Sequence, residues 1–251
     1  MEKHVSDGKL NIFNANQLKF IAIVAMLIDH IAWTFVPTSS FEGQLMHSIG
    51  RLTFPIMAFF IAEGFHKTSN LKKYFIRLSA FALISHIPFQ LFALGRIPLL
   101  EPRLGDTIID TATTSIMYTL TLGLLVLIIW KKTSLNEIVK FGLTMFILII
   151  AIPGDYAFFG VLLVMAFGFA YPDRKLQLIL GSIVILFLVY PSVTLKGPEP
   201  SVFMLATFIP LGLIAMYNGK LGNGRGMKWF YYIFYPAHLL ILFLLKAFII
   251  K

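Results

Sequence analysis

Residues 18–35 read LKFIAIVAMLIDHIAWTF, an almost unbroken apolar segment. About 20 such residues are enough for a helix to cross the hydrocarbon core of a bilayer. The same pattern returns along the 251-residue chain, of which 58% is hydrophobic and only 13% charged. The connectors are short and leave no room for a soluble domain. The sequence therefore predicts an all-α fold, a polytopic bundle of transmembrane helices.

The apolar stretches predict about nine spans, within a range of eight to ten, in a single integral membrane domain that covers residues 1–251. The predicted spans are 18–36, 48–66, 74–94, 112–130, 137–152, 155–171, 176–191, 201–217 and 229–250. Residues 1–17 are polar, and no small-residue cleavage site follows the first span. This span is therefore interpreted as retained in the membrane and not as a signal peptide.

Lys and Arg residues are distributed unequally between the predicted loops. With a cytoplasmic amino terminus, fifteen of the 21 lie inside, namely Lys3, Lys9, Lys19, Lys67, Lys72, Lys73, Arg77, Lys131, Lys132, Lys140, Arg174, Lys175, Lys220, Arg225 and Lys228. The outer segments hold Arg51, Arg96, Arg103, Lys196, Lys246 and Lys251. Cytoplasmic loops of membrane proteins carry such an excess. We therefore expect a multi-pass protein of a bacterial cytoplasmic (inner) membrane, with segment 1–17 in the cytoplasm.

Several functional classes are excluded by composition. The chain has no cysteine, which excludes disulfides, thiolate metal sites and a cysteine nucleophile. The histidines are predicted on separate segments without ligand spacing, so no metal site is expected. Of these, His4 and His47 are assigned to solvated segments. The net charge of +9 follows from the loop bias, and no nucleic-acid partner is needed to explain it.

Ionisable side chains inside the predicted spans are candidates for function, because a charge in lipid is costly unless it is paired or hydrated. Asp29 and His30 lie in the outer half of the first span, where a carboxylate beside an imidazole can set its tautomer. Arg51 opens the second span on the same side; it belongs to the same site, or it only joins two helices through Asp29. His238 falls near the membrane centre, two residues after Pro236, and packing alone does not explain it.

A second group of charges closes the second span. Glu63 and His66 lie about 18 Å from Arg51 along a helix that rises 1.5 Å per residue, so they belong to a different site. A basic group follows, made of Lys67, Lys72, Lys73 and Arg77. These cations suit a phosphate-rich ligand, although the positive-inside bias alone also accounts for them.

Further polar residues lie at the predicted outer ends of other spans. His86 and Gln90 share one face of the third span, as expected for side chains that face the bundle interior. Asp155 and Tyr156 open the sixth span. Asp155 is either a substrate ligand or a simple helix cap, which the helix dipole favours.

Four motifs follow one another along the chain. They are LKFIAIVAMLIDHIA at 18–32, GRLTFPIMAFFIAEGF at 50–65, RLSAFALISHIPF at 77–89 and YYIFYPAHLLIL at 231–242. Together they resemble the TraX family over nearly the whole chain. The matching residues are Asp29, His30, Arg51, Glu63, Tyr235, Pro236 and His238. The resemblance implies an inner-membrane protein similar in kind to a conjugative pilin acetylase, with acetyl-coenzyme A or another acyl-coenzyme A as donor.

The fourth span departs from the family pattern. The family has an asparagine ahead of an aromatic–threonine–leucine run, whereas this chain has Thr113, Thr114 and Ser115 ahead of Tyr118, Thr119 and Leu120. The acceptor can therefore differ from a pilin, and we expect a peptide, a pilin-like protein or a surface molecule.

The resemblance implies a membrane acyltransferase that carries an acyl group to an amine or hydroxyl at the outer face. His30, oriented by Asp29, is the expected base; Arg51 steadies Asp29 or the oxyanion, and His238 is an acid or a second relay member. Substrate contacts are assigned to Glu63, His86, Gln90, Asp155, Tyr156 and Tyr235, and donor phosphates to Lys67, Lys72, Lys73 and Arg77. A covalent acyl-histidine and a direct transfer both remain open.

Two other functional classes share some of these features. A proton-coupled secondary transporter also carries Asp, His and Arg inside its spans, but such proteins commonly show related halves, which are absent from this sequence. An intramembrane protease is disfavoured, because the chain has no His-Glu-x-x-His motif and Asp155 has no obvious carboxylate partner in a second span.

Overall fold

The computed structural model describes residues 11–107, 111–194, 201–222 and 227–249. Predictions for Lys3, His4, Lys9, Lys196, Arg225, Lys251 and the side chain of Lys228 lie outside the described residues. The α-helices are α1 (Ala15–Phe35), α2 (Phe41–Gly50), α3 (Thr53–Lys67), α4 (Leu71–Leu94), α5 (Ile116–Lys132), α6 (Glu137–Ile150), α7 (Ala157–Phe169), α8 (Arg174–Thr194), α9 (Ile209–Ala215) and α10 (Met227–Ile249), with a 3-10 helix at Val202–Phe208. Every predicted apolar stretch contains a helix, which confirms the all-α class.

Five helical segments are long and apolar enough to cross a membrane. They are Ala15–Phe35, Phe41–Lys67, Leu71–Leu94, Arg174–Thr194 and Trp229–Ile249. The helices α5, α6 and α7 are shorter, with 17, 14 and 13 residues. A membrane protein with several apolar helices is therefore confirmed. The count of nine spans, the single domain and the cytoplasmic amino terminus stay predictions.

Two predicted spans are wrong as single helices. The stretch 48–66 is broken after Gly50, and its first helix begins earlier, at Phe41, where Ser40 accepts a hydrogen bond from the backbone N–H of Gly43. Polar residues lower the hydropathy of α2, although its buried face packs on α1. The stretch 201–217 is a 3-10 helix followed by the seven-residue α9, which has Pro210 in its first turn.

Helix α1 positions most of the candidate residues. It begins with a capping box in which Asn14 and Gln17 exchange side-chain and backbone hydrogen bonds, an arrangement that satisfies two otherwise unpaired N–H groups. Its neighbours are α2, α3 and α10. Helix α4 packs against α10 and α5, and α3 packs against α7. Residues near both ends of α1 therefore face the interior between α3, α4, α5 and α10.

Candidate active site

Asp29 is the centre of a buried polar cluster where α1 meets α2. Its Oδ2 accepts a hydrogen bond from Nη2 of Arg51 at 2.8 Å, and its Oδ1 lies 2.8 Å from Nδ1 of His47. A Cβ added to Gly50 would lie 2.3 Å from the Cβ of Asp29, so only glycine lets α2 approach this closely. All three polar side chains are almost fully buried, and a buried charge of this kind is stable only when it is paired.

The prediction that His47 is solvated is wrong. Its side chain is fully buried between the rings of Trp33 and Phe203, whose centroids lie 4.4 and 5.1 Å from its own. The sequence around it is polar and resembles a loop, which is why hydropathy missed it. The helical spacing of His47 and Gly50 on the buried face of α2 is the signal that would have indicated burial.

His30 and His238 form a hydrogen-bonded pair between α1 and α10. Nδ1 of His30 lies 2.6 Å from Nε2 of His238, and the two rings are nearly parallel at 10°. The partner of His30 is therefore His238, because both oxygens of Asp29 bond to other side chains. The prediction that Asp29 orients His30 is wrong in this respect.

The hydrogen bonds fix the tautomers of this pair. The carbonyl oxygen of Phe234 lies 2.8 Å from Nδ1 of His238, and a carbonyl can only accept, so this nitrogen carries hydrogen. In the neutral ring the Nε2 of His238 then has no proton and accepts from the Nδ1–H of His30. Nε2 of His30 is consequently the nitrogen with a free lone pair. The sequence could not distinguish the two histidines, whereas this chain of hydrogen bonds does.

His30 lines a cavity of about 340 Å³, which we call the histidine cavity. Its polar lining includes Asp29, His30, Arg51, Asp155, Tyr156 and Tyr235, and Lys246 reaches it from the end of α10. His238 is not in the lining. Six residues predicted from four separate spans therefore meet at one cavity.

Asp155 and Tyr156 lie in the turn before α7. The simple cap interpretation of Asp155 is wrong: the cap position of α7 is Tyr156, without a side-chain cap bond, and Oδ1 of Asp155 accepts from the backbone N–H of Tyr156 at 3.0 Å. The ring of Tyr156 stacks on Phe54 with centroids 3.9 Å apart, and the guanidinium carbon of Arg51 lies 5.8 Å from its centroid. This stacking fixes the turn at the cavity wall.

Three predicted substrate ligands lie outside the histidine cavity. His86 bonds to the hydroxyl of Thr114 at 3.0 Å, and Nε2 of Gln90 donates to the carbonyl oxygens of Thr111 and Thr113. These two side chains hold the segment before α5. Glu63 lies at the other end of α3. Their assignment as substrate ligands at the histidine cavity is therefore not supported by their positions.

A second cavity of about 660 Å³ lies toward the amino-terminal end of α1. We call it the lysine cavity after its cations Lys19, Lys67 and Arg77. Glu63 lies beside it, with its oxygens 2.8 Å from Nζ of Lys67 and 3.0 Å from the hydroxyl of Tyr217. Of the four predicted phosphate ligands, Lys67 and Arg77 line this cavity, whereas Lys72 and Lys73 are exposed and do not.

The two cavities adjoin each other. Met57, Met117, Leu120 and Tyr231 line both of them. Lys19 and His30 are eleven positions apart on α1, which corresponds to roughly 16 Å along a helix. An extended flexible ligand with its anionic end among the cations can therefore reach the histidine pair.

Comparison with known proteins agrees with the resemblance of the motifs. A probable fimbrial assembly protein FimC, serogroup H1, of Dichelobacter nodosus is 31% identical over 247 residues, which cover 94% of this chain and 97% of that protein. No solved structure matches the chain. The profile of the TraX protein family matches residues 14–246, and the chain therefore belongs to the TraX family.

Proposed function

We propose that this protein is an integral membrane acyltransferase that moves an acetyl or other acyl group from acyl-coenzyme A to an amine or hydroxyl acceptor. The observation that carries the proposal is the histidine pair, in which His30 keeps an Nε2 with a free lone pair and lines a cavity that adjoins a second, cationic cavity. A base and a site for an anionic donor are the two parts that acyl transfer needs first.

The lysine cavity is the proposed site of the donor. Lys19 and Arg77 form no ion pair with a carboxylate within the described ranges, so their charge is available to the coenzyme A phosphates. The pantetheine arm would pass the shared wall at Met57 and Tyr231. The thioester would then reach His30.

In a direct transfer, the acceptor N–H or O–H attacks the thioester carbonyl while its proton moves to Nε2 of His30. The C–S bond breaks, and the imidazolium returns the proton to the departing sulfur. His238 accepts the Nδ1–H of His30 throughout and stabilises its charged form. Arg51, held by Asp29 at the cavity wall, is the donor for the developing oxyanion.

A covalent route uses the same residue. Nε2 of His30 attacks the thioester, the thiolate leaves, and the acceptor then removes the acyl group from the imidazole. The chain has no cysteine that could serve as the acyl carrier in place of this histidine. Trapping of acyl-protein separates the two routes.

The acceptor is proposed to be a peptide or protein amino terminus, a pilin-like protein or a surface molecule, reached at the extracytoplasmic face of a bacterial inner membrane. The name of the Dichelobacter nodosus relative refers to fimbrial assembly, which favours a protein subunit. The lysine cavity would then face the cytoplasm, where acyl-coenzyme A is made.

The test uses purified protein in nanodiscs with acyl-labelled acetyl-coenzyme A and longer acyl donors. We expect slow thiol release without an added acceptor, and its loss in His30→Ala. Label that stays on the protein after a rapid denaturing quench at neutral pH, is removed by hydroxylamine and is absent in His30→Ala would support the acyl-histidine route. The proposal would be contradicted if no donor, whatever its acyl chain length, were bound or turned over.

A second candidate is a proton-coupled secondary transporter. The two adjoining cavities and the buried Asp29, His30 and Arg51 favour it, since such groups are also used for proton coupling. Proton-driven substrate flux in liposomes without thiol release would support this candidate against the acyltransferase.

A further inference from the structure

A third cavity, of about 420 Å³, opens beside the histidine cavity. We call it the side groove. Phe89, Phe159 and Leu188 contribute apolar walls, and Thr113 and Thr114 line another part. Phe89, Asp155 and Tyr156 line both the side groove and the histidine cavity. A molecule in the side groove therefore meets Asp155 at the boundary between the two.

Asp155 differs from the other carboxylates in the helical core. Asp29 is bound by two side chains, and Glu63 by a lysine and a tyrosine hydroxyl. Asp155 accepts only the backbone N–H of Tyr156, and no ion pair joins it to a cation in the part of the chain that the structure describes. A partly buried carboxylate with no directly bonded cation is less favourable than a paired one, and a cationic ligand can supply the missing contact.

Arg51 does not take this role. Its Nη2 bonds to Asp29 at 2.8 Å, and Phe203 and Tyr156 lie beside its guanidinium group at 5.3 and 5.8 Å. It contributes a favourable field at Asp155 but no hydrogen bond. The remaining acceptor capacity of Asp155 at the boundary of the two cavities is therefore open to a further donor.

We propose that the side groove is the entrance for the acceptor and that Asp155 binds the acceptor's ammonium group. This inference rests on the proposed acyltransferase function. The ligand is a primary amine with an apolar group next to it, because the carboxylate selects the cation and the groove walls at Phe159 and Leu188 select the apolar group. It arrives between helices and not through the lysine cavity.

The proton balance follows from this placement. The ammonium gives one proton to Asp155 and becomes a nucleophilic amine. During attack on the thioester it gives a second proton to Nε2 of His30, which passes it to the sulfur as the C–S bond breaks. Asp155 then releases its proton to water. The products are the amide, free coenzyme A and one proton.

Occupancy of the side groove can be measured without turnover, because the chain has no native cysteine. The variant Leu188→Cys places a thiol in the groove, and Phe187→Cys places one on the adjacent position, which is 65% exposed. Labelling of each by a membrane-permeant maleimide is followed in nanodiscs. The probe is phenylalaninamide, and its uncharged partner is 3-phenyllactamide.

Phenylalaninamide is expected to slow labelling of Leu188→Cys by about threefold or more at a saturating concentration, and to leave Phe187→Cys unchanged. Adding Asp155→Asn should remove the protection. Unprotected Leu188→Cys, or protection that survives Asp155→Asn, would overturn the proposal. Equal protection by 3-phenyllactamide would also overturn it, because the site would then not recognise charge.

A kinetic arm separates this inference from the proposed function. The preference for the amine is measured as kcat/KM for phenylalaninamide divided by kcat/KM for 3-phenyllactamide. This preference should be about tenfold larger in wild-type protein than in Asp155→Asn, the usual scale for one charge-assisted contact. An unchanged ratio would contradict the assignment of Asp155. Charge-dependent protection without any acyl transfer would support the groove and reject the acyltransferase.

Discussion

The histidine cavity and the lysine cavity lie along the same helix, yet their charged groups are held in different ways. At the histidine cavity, Asp29 and Arg51 are fixed to each other, and each side chain is only 10% exposed. At the lysine cavity, Lys19 and Arg77 lie over the rings of Phe60 and Tyr232, at 4.7 and 5.2 Å. Fixed, paired groups are suited to stabilising a reaction, and cations without an anion are suited to binding one.

The largest expected effect is at His30. Replacing it with alanine removes the only free imidazole nitrogen of the pair, and thiol release from acetyl-coenzyme A should fall by about 10³-fold, within the range for loss of a general base. The matched control is His86→Ala, which removes a histidine bonded to Thr114 outside the cavity. A loss of similar size in both variants would show that the chemistry is not specific to the histidine cavity.

Asp29→Ala tests the claim that the histidine cavity is held by pairing. The change leaves Arg51 buried without its partner and should lower the free energy of unfolding by about 3 kcal/mol. Denaturant titration in detergent measures this, with Glu137→Ala as the control, because that carboxylate is 72% exposed and its pair should contribute less than about 1 kcal/mol. Adding Arg51→Met should restore part of the lost unfolding free energy. If the losses of the two single variants simply add in the double variant, the two residues do not stabilise the protein as a pair.

The orienting role of His238 has a smaller effect. In His238→Gln an amide oxygen can still accept the Nδ1–H of His30, so we expect about a tenfold fall in kcat with little change in the KM of the donor. Initial rates over a range of acetyl-coenzyme A concentrations separate the two constants. A fall as large as that of His30→Ala would show that His238 itself takes part in bond-making.

The smallest expected effect is at the lysine cavity. Lys19→Ala should raise the KM for acetyl-coenzyme A about fivefold without changing kcat, because one of several cations is lost. Lys72→Ala is the control, since Lys72 is exposed and does not line the cavity. Equal effects of the two changes would mean that the surface charge, and not the cavity, attracts the donor.

The sequence predicted the fold class and much of the histidine cavity for identifiable reasons. Apolar stretches located every described α-helix except most of α2, and charges inside them marked Asp29, His30, Arg51 and His238. What it missed depends on contacts between distant segments. The pairing of His30 with His238 spans 208 positions, and no local periodicity contains it.

The burial of His47 was missed for a related reason. Polar neighbours gave α2 the hydropathy of a loop, whereas Asp29 supplies a partner across the helix interface. The phosphate ligands were assigned from neighbouring positions after α3, but helix geometry turns Lys72 and Lys73 away and brings in Lys19 from α1. Sequence proximity was therefore a poor guide to which cations share a cavity.

The most direct test of the account is transfer across a sealed membrane. The variant Lys72→Cys is reconstituted in liposomes. Because the chain has no native cysteine, a thiol label at position 72 marks the lysine-cavity face, and liposomes with that face in one orientation are selected by it. Labelled acetyl-coenzyme A is supplied on that face and phenylalaninamide on the other. The account predicts acetylated amine on the far side and free coenzyme A on the near side, both absent in His30→Ala. Product that forms only when donor and acceptor share one face would contradict it.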